Sequence, residues 1–162
     1  RSAISIIPQD PVMFQGTVKS NIDPVDDYSD DEIMKALKLS ELADVVTNLD
    51  DAVDDGGSNY SVGQRQLFCL ARAMLRNTKI LVLDEATANV DVQTDEKLQA
   101  TLRQQFKECT VITIAHRLNT ISDSDYILVM NDGMVGEFGS PTELQKNSKS
   151  LWSGLLKSER GS

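Results

Sequence analysis

The chain has 162 residues, 40% hydrophobic, 25% charged and 5% aromatic, which is the composition of one folded domain and excludes collagen-like and disordered chains. Its longest aliphatic runs are about four residues, as at 80–83, against the roughly 20 apolar residues of a membrane-spanning helix. The net charge of −9 is confined to one stretch: residues 1–20 net +1, residues 21–60 hold twelve acids and two bases, and residues 61–162 hold twelve of each.

That acidic stretch reads as solvated surface, and the lack of a basic footprint argues against nucleic acid as a partner. The chain opens Arg1-Ser2-Ala3 without an initiator methionine or a signal peptide, as expected of a piece of a longer polypeptide. Cys69 and Cys109 fit no metal-ligand spacing and are expected to be free, reduced thiols.

In chain order, residues 2–7 read as a short strand stopped by Pro8, and Pro11 keeps Gln9 and Asp10 on a loop. Ser29-Asp30-Asp31-Glu32 is a capping box that opens a helix through about Leu39, with Ile33, Ala36 and Leu37 inward. A second short helix is expected near 41–46. Gly56-Gly57-Ser58-Asn59 is a turn, followed by an amphipathic helix with Leu67, Leu70, Ala71, Met74 and Leu75 on one face.

Residues 80–83 predict a strand buried on both faces, and residues 93–107 a long helix with Leu98, Leu102 and Phe106 inward. Residues 110–114 predict a second buried strand. Asn131-Asp132-Gly133 between two apolar runs signals a hairpin. Ser140-Pro141-Thr142-Glu143 opens a further helix, and residues 150–157 form the last. Buried strands alternating with helices give an α/β fold with a largely parallel sheet.

Three places carry chemistry. Asp84 and Glu85 follow a four-aliphatic strand, and ligands of open α/β sheets bind beyond the carboxyl ends of strands. A carboxylate there can hold hydrated Mg²⁺, and its neighbour can orient an attacking water. His116, the only histidine, stands at the same end of the strand at 110–114. Ser61 and Gly63 open the amphipathic helix, where free N–H groups and the helix dipole suit an anion. Each feature also has an ordinary reading: a strand ending in polar residues, a structural histidine, a serine N-cap. Capping alone leaves the run Gln64-Arg65-Gln66 unexplained.

Ser61-Val62-Gly63-Gln64-Arg65-Gln66 resembles the signature motif of ATP-binding cassette proteins. Ile80-Leu81-Val82-Leu83-Asp84-Glu85 stands where that family has Walker B, and Ala88-Asn89-Val90-Asp91 where it has the D-loop. His116 falls at the switch histidine, and Gln9 of Ile7-Pro8-Gln9-Asp10-Pro11 at the Q-loop. Pro8-Gln9-Asp10-Pro11-Val12-Met13-Phe14, Asn21-Ile22-Asp23-Pro24 and the Gly139-Ser140-Pro141-Thr142-Glu143-Leu144 tail are similar to the second, C-terminal cassette of the C subfamily, the multidrug-resistance-associated type. Val62 departs from the Gly of most cassettes. No Gly-x-x-x-x-Gly-Lys-Ser/Thr sequence occurs anywhere in the chain.

The resemblance implies a P-loop NTPase-like ATPase core with a helical signature subdomain, lacking its N-terminal Walker A part. It divides the chain into a Q-loop and helical signature region at about 9–75, a catalytic core at about 76–145 and a tail at 146–162. It implies ATP and Mg²⁺ as cofactors. Asp84 would hold Mg²⁺, Gln9 would sense it, Glu85 would polarise the attacking water, and His116 would contact the γ-phosphate. Ser61, Gly63 and Gln64 would cap the ATP of a second cassette in a head-to-tail dimer, and Asp91 would report across that interface. Further implied partners are the transmembrane domains of the same transporter, with the cassette on the cytosolic face of a membrane. The implied activity is ATP hydrolysis that powers export of organic anions and conjugates, with the isolated chain inactive. Three readings compete: a truncated cassette acting only as a dimer partner, a subfamily member that gates or regulates an ion channel, and a soluble ATPase of the same fold, which would need coiled-coil insertions or basic surfaces that the sequence lacks.

Overall fold

In the computed structural model, residues 3–76, 78–84, 92–115 and 117–160 are described. They form two compact units, Arg1–Ile114 and Ala115–Ser162.

The first unit is built on a three-stranded parallel sheet in the order β1-β4-β5, from β1 (Ile4–Ile7), β4 (Ile80–Asp84) and β5 (Thr110–Ile114). Ile7 pairs with Leu83, and Asp84 with Ile114. All three strands therefore end at one edge, and β4 is central. Between β1 and β4 lie β2 (Gly16–Thr17), α1 (Val18–Ile22), α2 (Asp30–Leu39), β3 (Ala52–Val53) and α3 (Val62–Leu75). Helix α4 (Val92–Gln105) connects β4 to β5, the crossover that a parallel pair requires.

The capping box at Ser29 forms as read, with the Glu32 amide donating to Ser29 Oγ and the Ser29 amide to Glu32 Oε2. The short α1 was not predicted. Its signal is Thr17-Val18-Lys19-Ser20, a second capping box in which Ser20 replaces the usual Glu. The helix expected near 41–46 does not form. Glu41 takes a φ of 63°, and the stretch closes as turns, one of them from the Val46 amide to the Leu42 carbonyl. Leu42 and Val46 are still buried, so the apolar spacing there serves a single turn.

The core is continuous from Ile7 through Ile33, Leu37, Phe68, Leu70 and Leu81 to Leu98 and Phe106. The strands themselves differ from expectation. On β4 only Leu81 and Leu83 are buried, while Ile80, Val82 and Asp84 are half-buried. All five residues of β5 are exposed, Ile112 and Ile114 by about half. Helix α3 packs against β1 and α4 against α3, and among the described residues nothing covers either face of β5. An apolar run records what a strand could bury, whereas burial requires an element to lie over it.

The second unit is the hairpin of β6 (Ile127–Asn131) and β7 (Met134–Gly139), then α5 (Pro141–Lys146) and α6 (Leu151–Arg160). Asp132 and Gly133 both take positive φ, 49° and 76°, the geometry of a two-residue hairpin turn. Trp152, Ile127 and Val129 form its core. The β7 carboxylate of Glu137 accepts from the amides of Leu151 and Trp152 and so caps α6. No helix among the described residues is long and apolar enough to cross a membrane.

Candidate functional site

The sheet edge where β1, β4 and β5 end is the natural place for chemistry. Asp84 is the last residue of central β4 and is half-buried. Gln9 follows β1 on the segment that leaves the same edge, with its side chain exposed. The parallel register therefore brings these two predicted residues to one edge. Glu85 follows Asp84 and His116 stands two residues beyond Ile114; with Asp91 they lie outside the described residues. Among the described residues no group of three or more histidines, cysteines or carboxylates could hold a metal ion. Asp84 alone still fits Mg²⁺, which takes one or two carboxylates and otherwise keeps water and phosphate oxygens.

Ser61, Gly63 and Gln64 lie at the start of α3. Ser61 is the N-cap: its Oγ accepts from the Gln64 amide at 3.1 Å, and Gln64 Oε1 accepts from the Ser61 amide at 2.9 Å. Ser61 is exposed and Gly63 is buried in the first turn. The two residues after Gln64 also have local work. Arg65 Nη1 donates to the Gly56 carbonyl at 2.9 Å and holds the turn that precedes the helix. Gly57 in that turn has a φ of 68°, and a Cβ there would meet Met13 Sδ at 2.8 Å. Gln66 reaches back to the loop after β1. Its Nε2 donates to the carbonyls of Pro8 at 3.1 Å and Gln9 at 2.9 Å. The run Gln64-Arg65-Gln66 is thus one cap and two tethers.

A further residue in this network escaped sequence reasoning. Arg72, on the face of α3 toward the loop, donates from Nη1 to the Val12 carbonyl at 2.6 Å and from Nε to the Asn21 carbonyl at 2.7 Å. Asn21, buried, donates to the carbonyls of Phe14 and Thr17 and accepts from the Phe14 amide. Burial pulls the Arg72 guanidinium below its usual pKa, and burial raises the Cys69 thiol beside it, partly offset by the Arg72 charge. The sequence signal for Arg72 is a lone basic residue between the buried Ala71 and Ala73. Its carbonyl partners lie more than fifty residues upstream.

A family model described as "ABC transporter" matches residues 1–88. The chain is 57% identical over 154 residues to a probable multidrug resistance-associated protein of Drosophila melanogaster, covering 93% of this chain and 11% of that protein. It is 52% identical over 165 residues to ATP-binding cassette sub-family C member 2 of Rattus norvegicus, covering 99% and 11%. It is 56% identical over 160 residues to the metal resistance protein YCF1 of Saccharomyces cerevisiae, covering 96% and 11%. A solved bacterial Atm1-family ABC exporter with ATP bound superposes with a TM-score of 0.87 at 35% identity, covering 97% of this chain and 28% of that one. The chain spans about a tenth of the length of the curated relatives it matches.

Proposed function

The chain belongs to the ABC transporter family, and from that premise we propose that it acts as part of an ATP-hydrolysing cassette within a longer multidrug-resistance-associated exporter. The observation that carries this reading is the sheet edge: Gln9 and Asp84 leave parallel neighbouring strands at the same end, with Ile7 opposite Leu83. On this reading Asp84 would hold Mg²⁺ and Gln9 would sense it. Glu85 accepts a proton from the water that attacks the γ-phosphate, and His116 donates to that phosphate. Mg²⁺ supplies charge neutralisation on the phosphate oxygens.

Ser61, Gly63 and Gln64 contact the ATP of a second cassette in a head-to-tail dimer, and Asp91 lies at that interface. The capped, partly exposed start of α3 supports this, because its free N–H groups and dipole favour phosphate. Transmembrane domains of the same transporter couple the hydrolysis to export of organic anions and conjugates, with the cassette on the cytosolic side.

The 162 residues contain no glycine-rich phosphate loop of the Gly-x-x-x-x-Gly-Lys-Ser/Thr type. Such a loop makes several charge-assisted hydrogen bonds of about 1.5–3 kcal/mol each. Three of them amount to roughly 5–9 kcal/mol, more than a thousandfold in affinity at about 1.4 kcal/mol per tenfold. The isolated chain is therefore expected to show no micromolar ATP binding and no turnover.

The decisive experiment is ATP turnover by the longer polypeptide that carries this segment. Glu85→Gln is expected to lower turnover about 100-fold or more while ATP remains bound. Wild-type turnover in that variant would refute the assignment of Glu85.

A further inference from the structure

We propose that Gln66 is the positioning residue for Gln9, pinning the loop after β1 to α3 by its main chain so that the Gln9 side chain is free to face a ligand. The claim rests on reading Gln9 as a ligand-facing residue. It goes beyond that reading by naming what holds it.

Gln66 is 1% exposed. Both hydrogens of its Nε2 are used on two consecutive carbonyls, those of Pro8 and Gln9. The opposite amide oxygen, Oε1, is buried with no hydrogen-bond partner among the described residues. Turning the amide over would aim that oxygen at two carbonyl oxygens, so the loop fixes the orientation even though Oε1 is left unpartnered. A residue that only filled core volume would be apolar here, among Leu67, Phe68 and Leu70.

The segment cannot hold itself. Pro8 and Pro11 carry no amide hydrogen, and Gln9 and Asp10 are exposed. At its far end the Phe14 amide and carbonyl are held by Asn21, and the Val12 carbonyl by Arg72. Gln66 is the side chain that fixes the near end, where Gln9 stands. It lies two residues after Gln64, which closes the cap at the start of the same helix. A displacement of the first turns of α3 is therefore transmitted to the carbonyls that flank the Gln9 side chain. The helix that presents Ser61 and Gly63 thus also sets the position of Gln9.

The test is the backbone order parameter of Gln9 and Asp10, from 15N NMR relaxation of the full 162-residue chain without nucleotide. Gln66→Met removes both donors and is expected to lower the order of these two amides from the rigid range, about 0.85, to below about 0.6 at every pH, with the body of α3 unchanged. Gln66→Glu places a buried carboxylate against two carbonyl oxygens, which raises its pKa above the usual value of about 4.3. The order in this variant is expected to be low at neutral pH. It should return toward the wild-type value as the pH falls to about 4 and the carboxyl regains a hydrogen to donate. Gln9→Ala, which removes the ligand-facing amide and leaves the tethered carbonyl, is expected to keep the wild-type order at residues 9 and 10. Unchanged order in Gln66→Met, no recovery of Gln66→Glu at low pH, or lost order in Gln9→Ala would overturn the proposal. Because the readout contains no ATP, failure of the ATPase reading would leave these outcomes where they are.

Discussion

Replacing Arg72 tests whether the joint between α3 and the loop segments is held by charge-assisted hydrogen bonds. Arg72→Met keeps much of the apolar stem and removes every donor. Two of the bonds are short, 2.6 Å to the Val12 carbonyl and 2.7 Å to the Asn21 carbonyl. A bond from a charged donor contributes about 1.5–3 kcal/mol, so the two give roughly 3–6 kcal/mol. The other two, from Nη2 to Asn21 Oδ1 at 3.3 Å and from Nη1 to Cys69 Sγ at 3.8 Å, are long and add little. No carboxylate faces the guanidinium among the partners its bonds define, so burying it has a desolvation cost that the variant recovers. A net loss of about 2–4 kcal/mol follows, or roughly 5–15 °C in Tm for a chain of this size. Arg72→Lys keeps the charge but loses the planar fork that reaches Val12 and Asn21 at once, and should lose about half as much. The chain has two units, so a single melting curve is unsafe. Trp152, the one tryptophan, lies in the second unit. The first unit is better followed by exchange protection in α3 and β4 under increasing urea. A loss below about 1 kcal/mol in Arg72→Met, or a lysine variant no better than methionine, would refute the hydrogen-bond account.

Gly57→Ala should cost about 1–3 kcal/mol, because it adds strain at positive φ to a Cβ contact 2.8 Å from Met13 Sδ. Gly56→Ala has the same backbone problem, at a φ of 62°, but open space around the new methyl, and urea denaturation should show the smaller loss. Iodoacetamide on the folded chain should label Cys109 well before Cys69, by peptide mass mapping. Cys69 is 6% exposed and burial raises its pKa, whereas Cys109 is half-buried. The Glu143 carboxyl is held below its ordinary value by the hydrogen bonds from Ser140. A depressed pKa adds stability above the unfolded value, so the start of α5 should fray only as the pH falls through the folded pKa, below about 4.3. Carboxyl titration by NMR should find Glu143 moved part of the way back toward the ordinary value in Ser140→Ala, because alanine removes the hydroxyl donor and keeps the backbone amide that also donates to Glu143 Oε2.

Local chemistry was legible and distant chemistry was not. The capping box at Ser29, the hairpin turn at Asp132-Gly133 and the helix opened by Ser140-Pro141 each depend on residues within four positions, and each forms. The apolar faces of α2 and α4 were legible because a period of 3.6 marks the buried side wherever the core lies, whereas α3 is buried all round from Gln66 to Ala71, and Met74 and Leu75 of its expected face are only half-buried. The burial of β5 was misread because β-branched residues report a preference for a sheet and not the presence of a second layer. Arg72 was missed and Gln66 left unexplained because their partners are backbone carbonyls. Every residue has such a carbonyl, so no sequence pattern marks them.

Those two residues also bear on which parts of the signature run are open to function. Ser61 and Gln64 satisfy each other in the cap, and any phosphate at the start of α3 must share with that cap or replace it. A serine hydroxyl can donate to a phosphate oxygen while still accepting from the Gln64 amide, because it has one hydrogen and two lone pairs. Gln64 Oε1 cannot donate, so a contact with an anion must come from its Nε2, which the cap leaves unused. The geometry therefore allows Ser61 and Gln64 to hold the helix start and an anion together. Gln66 and Arg72 have their nitrogens on the loop carbonyls and cannot turn to a ligand without releasing the segment that carries Gln9. Within one helix the first turn can meet a ligand, and the next two turns hold the loop.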